Sequence, residues 1–312
     1  MHQERRSLRW GLAAIAVAAL WRLGGHRLVP TDGREAAQAL LYLGTGRTEV
    51  TTAATEPATQ PPAPTEATEP VALPSFADAA VPEVFNDPGK AYDAAALLKK
   101  PLTWQLRREA PTVLILHTHT TEGYPDTAPD YRSLEEERNL LRIGQHLATY
   151  LESRGIHTLH DRTLHDYPAY NGSYNHSRQS AEAYLAQYPS IQVVLDLHRD
   201  AITLEDGSQM ATTAQGAAQI MLVVGTDTNL AHPHWQENFA LALKLHALLE
   251  ADTPGITRPI YLRRERFNQD LTPATLLVEV GAAGNSMEEA LQSVEKLGDA
   301  LLALQNGSLS VE

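Results

Sequence analysis

From Thr112 to Leu304, short apolar runs alternate with longer stretches whose apolar residues recur every three or four positions. Thr112–Leu116 (TVLIL), Ile156–Leu159, Ile191–Leu197 (IQVVLDL), Ile220–Gly225 (IMLVVG) and Thr275–Val280 (TLLVEV) are the short runs. They are apolar and rich in β-branched residues, so they read as buried strands. Asn139–Ser153, Ser177–Tyr188, Trp235–Ala251 and Met287–Leu304 carry the longer spacing and read as helices. Gly155 caps the first helix, Pro254-Gly255 ends the third, and Glu288-Glu289 suits the start of the last. Apolar strands alternating with helices predict an α/β fold, a mainly parallel sheet flanked by helices on both faces. In sheets of this kind, function is expected at the carboxyl ends of the strands.

Upstream of residue 105 the pattern changes. Arg5, Arg6 and Arg9 precede an apolar run from Trp10 to Trp21, so residues 1–24 read as a signal anchor. That run is short for a membrane span, but its basic flank would keep the N-terminus in the cytoplasm and export the rest. Residues 25–47 are then a juxtamembrane segment. Residues 48–104 begin with Thr-, Ala-, Glu- and Pro-rich repeats and read as a disordered linker, with a short helix expected near 93–106. Residues 105–305 form the expected catalytic domain and 306–312 a tail.

The composition narrows the chemistry. The chain has 312 residues, a net charge of -13 and no cysteine. Thiolate metal sites, disulfides and a thiol nucleophile are excluded, and an acidic chain argues against nucleic acid as a partner. Any metal must be held by His, Asp and Glu, and there are 13 histidines to draw on.

Four places near strand ends carry such residues. LHTHTTE supplies His117 and His119, expected on one side of an extended segment, with Glu122 just beyond. LDLHRD supplies His198 between Asp196 and Asp200, either of which could orient its imidazole. VEVG puts Glu279 inside an apolar strand, where a carboxylate is costly unless paired or near a metal. SLEEERN offers Glu135, Glu136 and Glu137 at a helix start. Catalytic zinc takes three ligands of this kind, while a free carboxylate removes a proton from water. Asn268, Gln269, Tyr170, Tyr174 and the Glu122–Arg132 loop flank these ends and are candidates for holding substrate.

The motifs HTHTTEGY, NLLRIG, HDYPAYNGSYNHSR, VVLDLHRDA, IMLVVG, NQDLTPATLLVEVGAAGN and SMEEAL, in that order, strongly resemble the stage II sporulation protein P family. These are exported, membrane-anchored cell-wall hydrolases, similar to the zinc-dependent N-acetylmuramoyl-L-alanine amidases. The resemblance implies a zinc amidase-like fold and a Zn2+ cofactor. It implies His119 (or His117), Glu135 (or Glu136 or Glu137) and His198 as metal ligands. Glu279 would be the catalytic base and Arg199 a catalytic cation beside the oxyanion; Glu122, Asn268 and Gln269 are the substrate-binding residues expected from their place beside the strand ends. The implied substrate is peptidoglycan, its glycan and stem peptide, with D,L-endopeptidase cleavage as a second activity. Stage II sporulation protein D and stage II sporulation protein M are implied as partners. The implied location is the extracytoplasmic side of the cell membrane, at the septum. A zinc metallopeptidase, a polysaccharide deacetylase and a non-catalytic wall-binding module are the competing expectations.

Overall fold

The computed structural model describes Phe76 and residues 79–306. The expected signal anchor, juxtamembrane segment and Pro/Thr-rich stretch lie outside the described residues, as do residues 307–312. Among the described residues, no helix is long and apolar enough to cross a membrane.

The elements in chain order are β1 (Val84–Asn86), α1 (Ala94–Lys99), β2 (Val113–Leu116), α2 (Leu140–Ser153), β3 (Thr158–His160), α3 (Ser173–Gln187) and β4 (Val193–Asp200). There follow β5 (Thr213–Ala214), β6 (Ala217–Ala218), β7 (Ile220–Gly225), α4 (Trp235–Asp252), β8 (Ile260–Arg263), β9 (Thr275–Ala282) and α5 (Met287–Asn306). A seven-stranded sheet runs β1-β8-β7-β9-β4-β2-β3, and β5 and β6 form a small hairpin. Every pairing in the large sheet is parallel except β7 with β9. The α/β class with a mainly parallel sheet is therefore what the chain adopts.

Strand parity decides which face each residue serves. Leu276, Val278 and Val280 of β9 join Leu222, Val224, Ile260 and Leu262 in the main core, packed under α1, α2, α4 and α5. The opposite face is covered unevenly. Leu114, Leu116 and Val194 pack with Ala181 of α3, but Met221, Val223 and Leu277 form only a small apolar group with Tyr261 and Phe267. The half of this face beyond α3 therefore stays open as the floor of a cleft. The expected helices on both faces are present, but the second face is only partly clad.

The linker expectation needs correction. β1 pairs with β8 through Val84, Phe85 and Asn86, and Phe76, Leu98, Trp104 and Leu106 are buried in the main core. Tyr92 meets Phe239 of α4 edge to face at 4.9 Å. The folded unit thus begins well before residue 105. Prolines and carboxylates at exposed positions mask its few buried apolar residues.

Candidate active site

Glu279 occupies the open-face parity of β9, which explains a carboxylate in an otherwise apolar strand. Its register partners are His198 on β4 and Met221 on β7. The β4–β9 pairing shifts register between His198 and Asp200, a bulge that re-aims the strand end. After Leu116 the chain turns through Thr118–Thr120, delivering His119 and then Glu122 to the same place. Together with Tyr174 of α3, these four residues line a cavity of about 760 Å³.

The His119 and His198 rings are 5.2 Å apart and nearly perpendicular at 89°. His198 Nδ1 lies 3.8 Å from Glu122 Oε2, and its Nε2 lies 3.0 Å from Asp196 Oδ1. Asp196 is fixed in turn by Thr118, whose backbone N–H donates at 2.8 Å and whose hydroxyl donates at 2.6 Å. Glu122 Oε2 also accepts the Arg199 N–H at 3.2 Å. His119 stacks on Tyr170 at 4.4 Å and contacts the Tyr170 and Ser173 hydroxyls at 3.0 and 3.3 Å.

The electrostatics centre on His198. Burial lowers its pKa, but Asp196, Glu122 and Glu279 outweigh that and raise it to about 10. Burial pushes Glu279 up to about 8, with Glu122 and Asp200 adding to the rise and His198 and Arg258 opposing it. Burial also raises Glu122, against the pull of His198, Arg199 and Arg132. Asp196, Glu122 and Glu279 thus converge on the His198 imidazolium, with Arg258, Arg199 and Arg132 adding positive charge around them.

The cleft brings together His119, Glu122, His198 and Glu279 and leaves out other expected residues. His117 is fully buried on the helix side, with Nδ1 3.1 Å from the Leu197 carbonyl and Nε2 2.9 Å from His160 Nε2. The turn after β2 breaks the alternation that would have kept it beside His119. Glu135 is not a cleft residue: its side chain is 68% exposed and pairs with Arg138. Glu136 likewise faces outward and pairs with Arg162. Arg199 lines the cavity, but its guanidinium donates to the Gly123 and Tyr131 carbonyls at 3.2 and 2.8 Å. It pins the 122–132 loop instead of offering a free cation. Gln269 is fully buried and clamps β7, donating to Val223 O and accepting from Gly225 N, both at 2.8 Å. Asn268 donates to Tyr174 O at 2.7 Å. Both are structural brackets, not cleft-lining groups.

Sequence reasoning missed Arg258, Tyr261 and Phe85, which also line the cavity. Arg258 bonds Asp200 at 2.8 Å. Their signal was faint, because a short strand set among arginines and prolines does not announce itself by periodicity.

Among the described residues, no group of three His, Asp or Glu side chains is already drawn to metal-binding distance. The donor set nonetheless suits zinc. Two imidazoles face one another beside a buried carboxylate, His198 has an orienting aspartate behind it, and Glu279 Oε2 is buried with no hydrogen-bond partner. An orphaned oxygen of that kind calls for a cation or a water.

Comparison with known proteins adds family information. The model of the family described as "Stage II sporulation protein P (SpoIIP)" matches residues 47–302. Stage II sporulation protein P of Bacillus subtilis (strain 168) is 28% identical over 213 residues, which is 62% of this chain and 51% of that protein. The chain spans about half the length of that curated relative. Among solved structures, the N-acetylmuramoyl-L-alanine amidase AmiC2 of Nostoc punctiforme is 15% identical, covers 61% of this chain and 95% of its own, and has a TM-score of 0.38. The CwlD amidase of Clostridioides difficile, solved with the GerS lipoprotein, is 13% identical, covers 63% and 95%, and has a TM-score of 0.39. Neither structural likeness bears on the chemistry.

Proposed function

This chain belongs to the stage II sporulation protein P family, and we propose that it is a zinc-dependent peptidoglycan hydrolase. In this reading it cleaves the amide between N-acetylmuramic acid and the L-alanine of the stem peptide. The observation that carries the reading is the convergence of His119, His198, Glu122 and Glu279 on one cavity. His119, His198 and Glu122 would hold the zinc; Glu122 takes the place that sequence reasoning gave to Glu135. The chemistry supplied there when zinc is bound is polarisation of the scissile carbonyl and acidification of a water.

The protein's own residues do the rest. Asp196 is the charge partner of His198, its Oδ1 3.0 Å from Nε2, and Nδ1 lies 3.8 Å from Glu122. The Arg199 backbone N–H and the loop contacts of its side chain hold Glu122 in position. Glu279 Oε2, free of hydrogen bonds, is the group placed to accept the proton of the attacking water and deliver it to the leaving amine. Burial raises its proton affinity, which suits a carboxylate that must take a proton near neutral pH. We further propose an exported, membrane-tethered location at the septum, and stage II sporulation proteins D and M as partners.

Product analysis of digested sacculi tests the reading. Zinc-loaded full chain should release L-alanine amino termini while leaving glycan strands intact. Glu279→Gln should lower that rate by about 10²-fold to 10⁴-fold, the usual weight of a general base, with an unchanged near-ultraviolet circular dichroism spectrum. Free amino sugars would instead indicate a deacetylase, and a new D,L peptide end an endopeptidase. Undiminished cleavage by Glu279→Gln would remove it as the base.

A further inference from the structure

A second depression, of about 670 Å³, adjoins the cleft. His119 lines the first cavity and Tyr170 the second, so the stacked His119–Tyr170 pair is the seam between them. Leu134, Tyr167 and Tyr170 stand on this second depression and remain 48%, 52% and 51% exposed. Large apolar and aromatic groups left in water beside a concavity mark a binding surface.

The polar part of the depression is built, not incidental. The Asp166 side chain is wholly buried and accepts from the Thr121 N–H at 3.1 Å, the Thr121 hydroxyl at 2.7 Å and Arg132 at 2.8 Å. Arg132 also lies over the Tyr170 ring at 4.9 Å and 3.9 Å from Glu122 Oε1. The charge of the Arg132–Asp166 pair cancels. What remains is a neutral set of hydrogen-bonding groups beside the exposed Tyr167 ring, the Tyr170 ring being stacked on His119 and covered by Arg132. That chemistry suits a sugar ring, which has hydroxyl and acetamido edges and apolar C–H faces. The first cavity differs. Its apolar floor of Leu277, Val223 and Tyr261 is bordered by charged side chains of both signs, among them Arg258 paired with Asp200 and Arg263 paired with Glu265, which suits a peptide limb more than a sugar ring.

We infer that the Tyr167–Tyr170 depression is the glycan subsite, holding a β-1,4-linked N-acetylated amino sugar chain. The inference rests on the proposed hydrolase reading, in which the scissile amide joins a sugar limb to a peptide limb. The two limbs then leave the stacked seam by different cavities.

Binding tests this separately from catalysis. The full chain would be titrated with a β-1,4-linked N-acetylglucosamine tetrasaccharide by calorimetry, beside Tyr167→Ala, Tyr167→Phe and Phe85→Ala. Tyr167→Ala should bind about tenfold more weakly, which is about 1.4 kcal/mol. Tyr167→Phe should restore most of the affinity by keeping the ring, and Phe85→Ala should match the parent. The inference is overturned if the parent does not bind the tetrasaccharide. It is equally overturned if Tyr167→Ala binds as tightly as the parent, or if Phe85→Ala loses as much. Sacculus digestion separates the two ideas. A parent that cleaves sacculi while Tyr167→Ala keeps full sugar affinity leaves the hydrolase standing without this subsite. A parent that binds sugar through Tyr167 but releases no L-alanine termini leaves the subsite standing without the hydrolase.

Discussion

Asp196 sits inside a buried strand, where a carboxylate would ordinarily take up a proton. Burial does push it that way, but the charge and contact of His198 and the two Thr118 donors outweigh burial and hold it below its usual range. Its work is to fix the imidazole orientation. On the proposed zinc reading, Asp196→Asn keeps the shape but loses the charge and one acceptor, so zinc affinity should fall about 10-fold to 100-fold, the usual cost of removing such an orienting group. Competition with a chromogenic chelator measures this, with His198→Ala as the reference for losing a ligand outright. Unchanged affinity in Asp196→Asn would mean that His198 is oriented by something else. His198, Glu279 and the partnering of His198 by an aspartate were legible in the sequence, because each lies on or directly after a periodic strand. Glu122 and Glu135 were not distinguishable by role, since both lie in loops where no periodicity fixes which carboxylate turns inward.

At the scale of elements, the contact between α2 and the end of β2 controls how the two histidine-bearing strands meet. The Leu197 carbonyl can only accept, so His117 carries its proton on Nδ1 and its Nε2 accepts from His160 Nε2. Burial lowers His117 to about 3 and His160 to about 4, so both are neutral at pH 7, as this arrangement requires. The chain His160, His117, Leu197 O therefore ties β3, β2 and β4 together one residue before His198. Gly144 of α2 lies directly against both imidazoles, and a Cβ there would collide with each Nε2. Gly144→Ala should destabilise the fold by about 1–3 kcal/mol through overpacking, even though alanine favours a helix over glycine. Thermal unfolding checks the sign: a raised midpoint would mean the imidazole pair yields. The main strands β2, β4, β7 and β9 were readable because they are continuous apolar runs. α3 begins at Ser173, four residues before the expected Ser177, because its first turn is polar and faces the cleft. β1 and β8 escaped notice because they are only three and four residues long, and β1, at the sheet's edge, has no fully buried position.

For the molecule as a whole, Phe76 and residues 79–104 are both wall and cover of the core, and Lys244 reports on them. This lysine is almost fully buried in α4, donates to the Leu98 carbonyl and lies 4.5 Å from the Phe76 ring. Burial lowers its pKa from 10.5 to about 8. Between about pH 8 and its ordinary value, the unfolded chain binds the proton that the folded chain has lost. The Lys244 contribution to stability should therefore rise with pH across that interval, the penalty for burying the charge being fully present below pH 8, while His198, held protonated up to about 10, works the other way. Urea unfolding at pH 8 and pH 10 isolates it: the change in stability from pH 8 to pH 10 should be more favourable in the full chain than in Lys244→Met. A fragment beginning at residue 105 removes the cover itself. It lacks β1, α1, Leu98 and Trp104, and each large apolar side chain so removed costs roughly 1.5–3 kcal/mol. Its urea midpoint should fall well below that of the full chain, and with Lys244 returned to water its pH dependence between pH 8 and pH 10 should no longer differ from that of the same fragment carrying Lys244→Met. It also loses Phe85, Asn86 and Asp87 from the cavity wall. Its cleavage of sacculi should thus be weaker even at temperatures where it remains folded. A fragment as stable as the full chain, with the same Lys244-dependent alkaline response, would show that α4 needs no cover from residues 79–104.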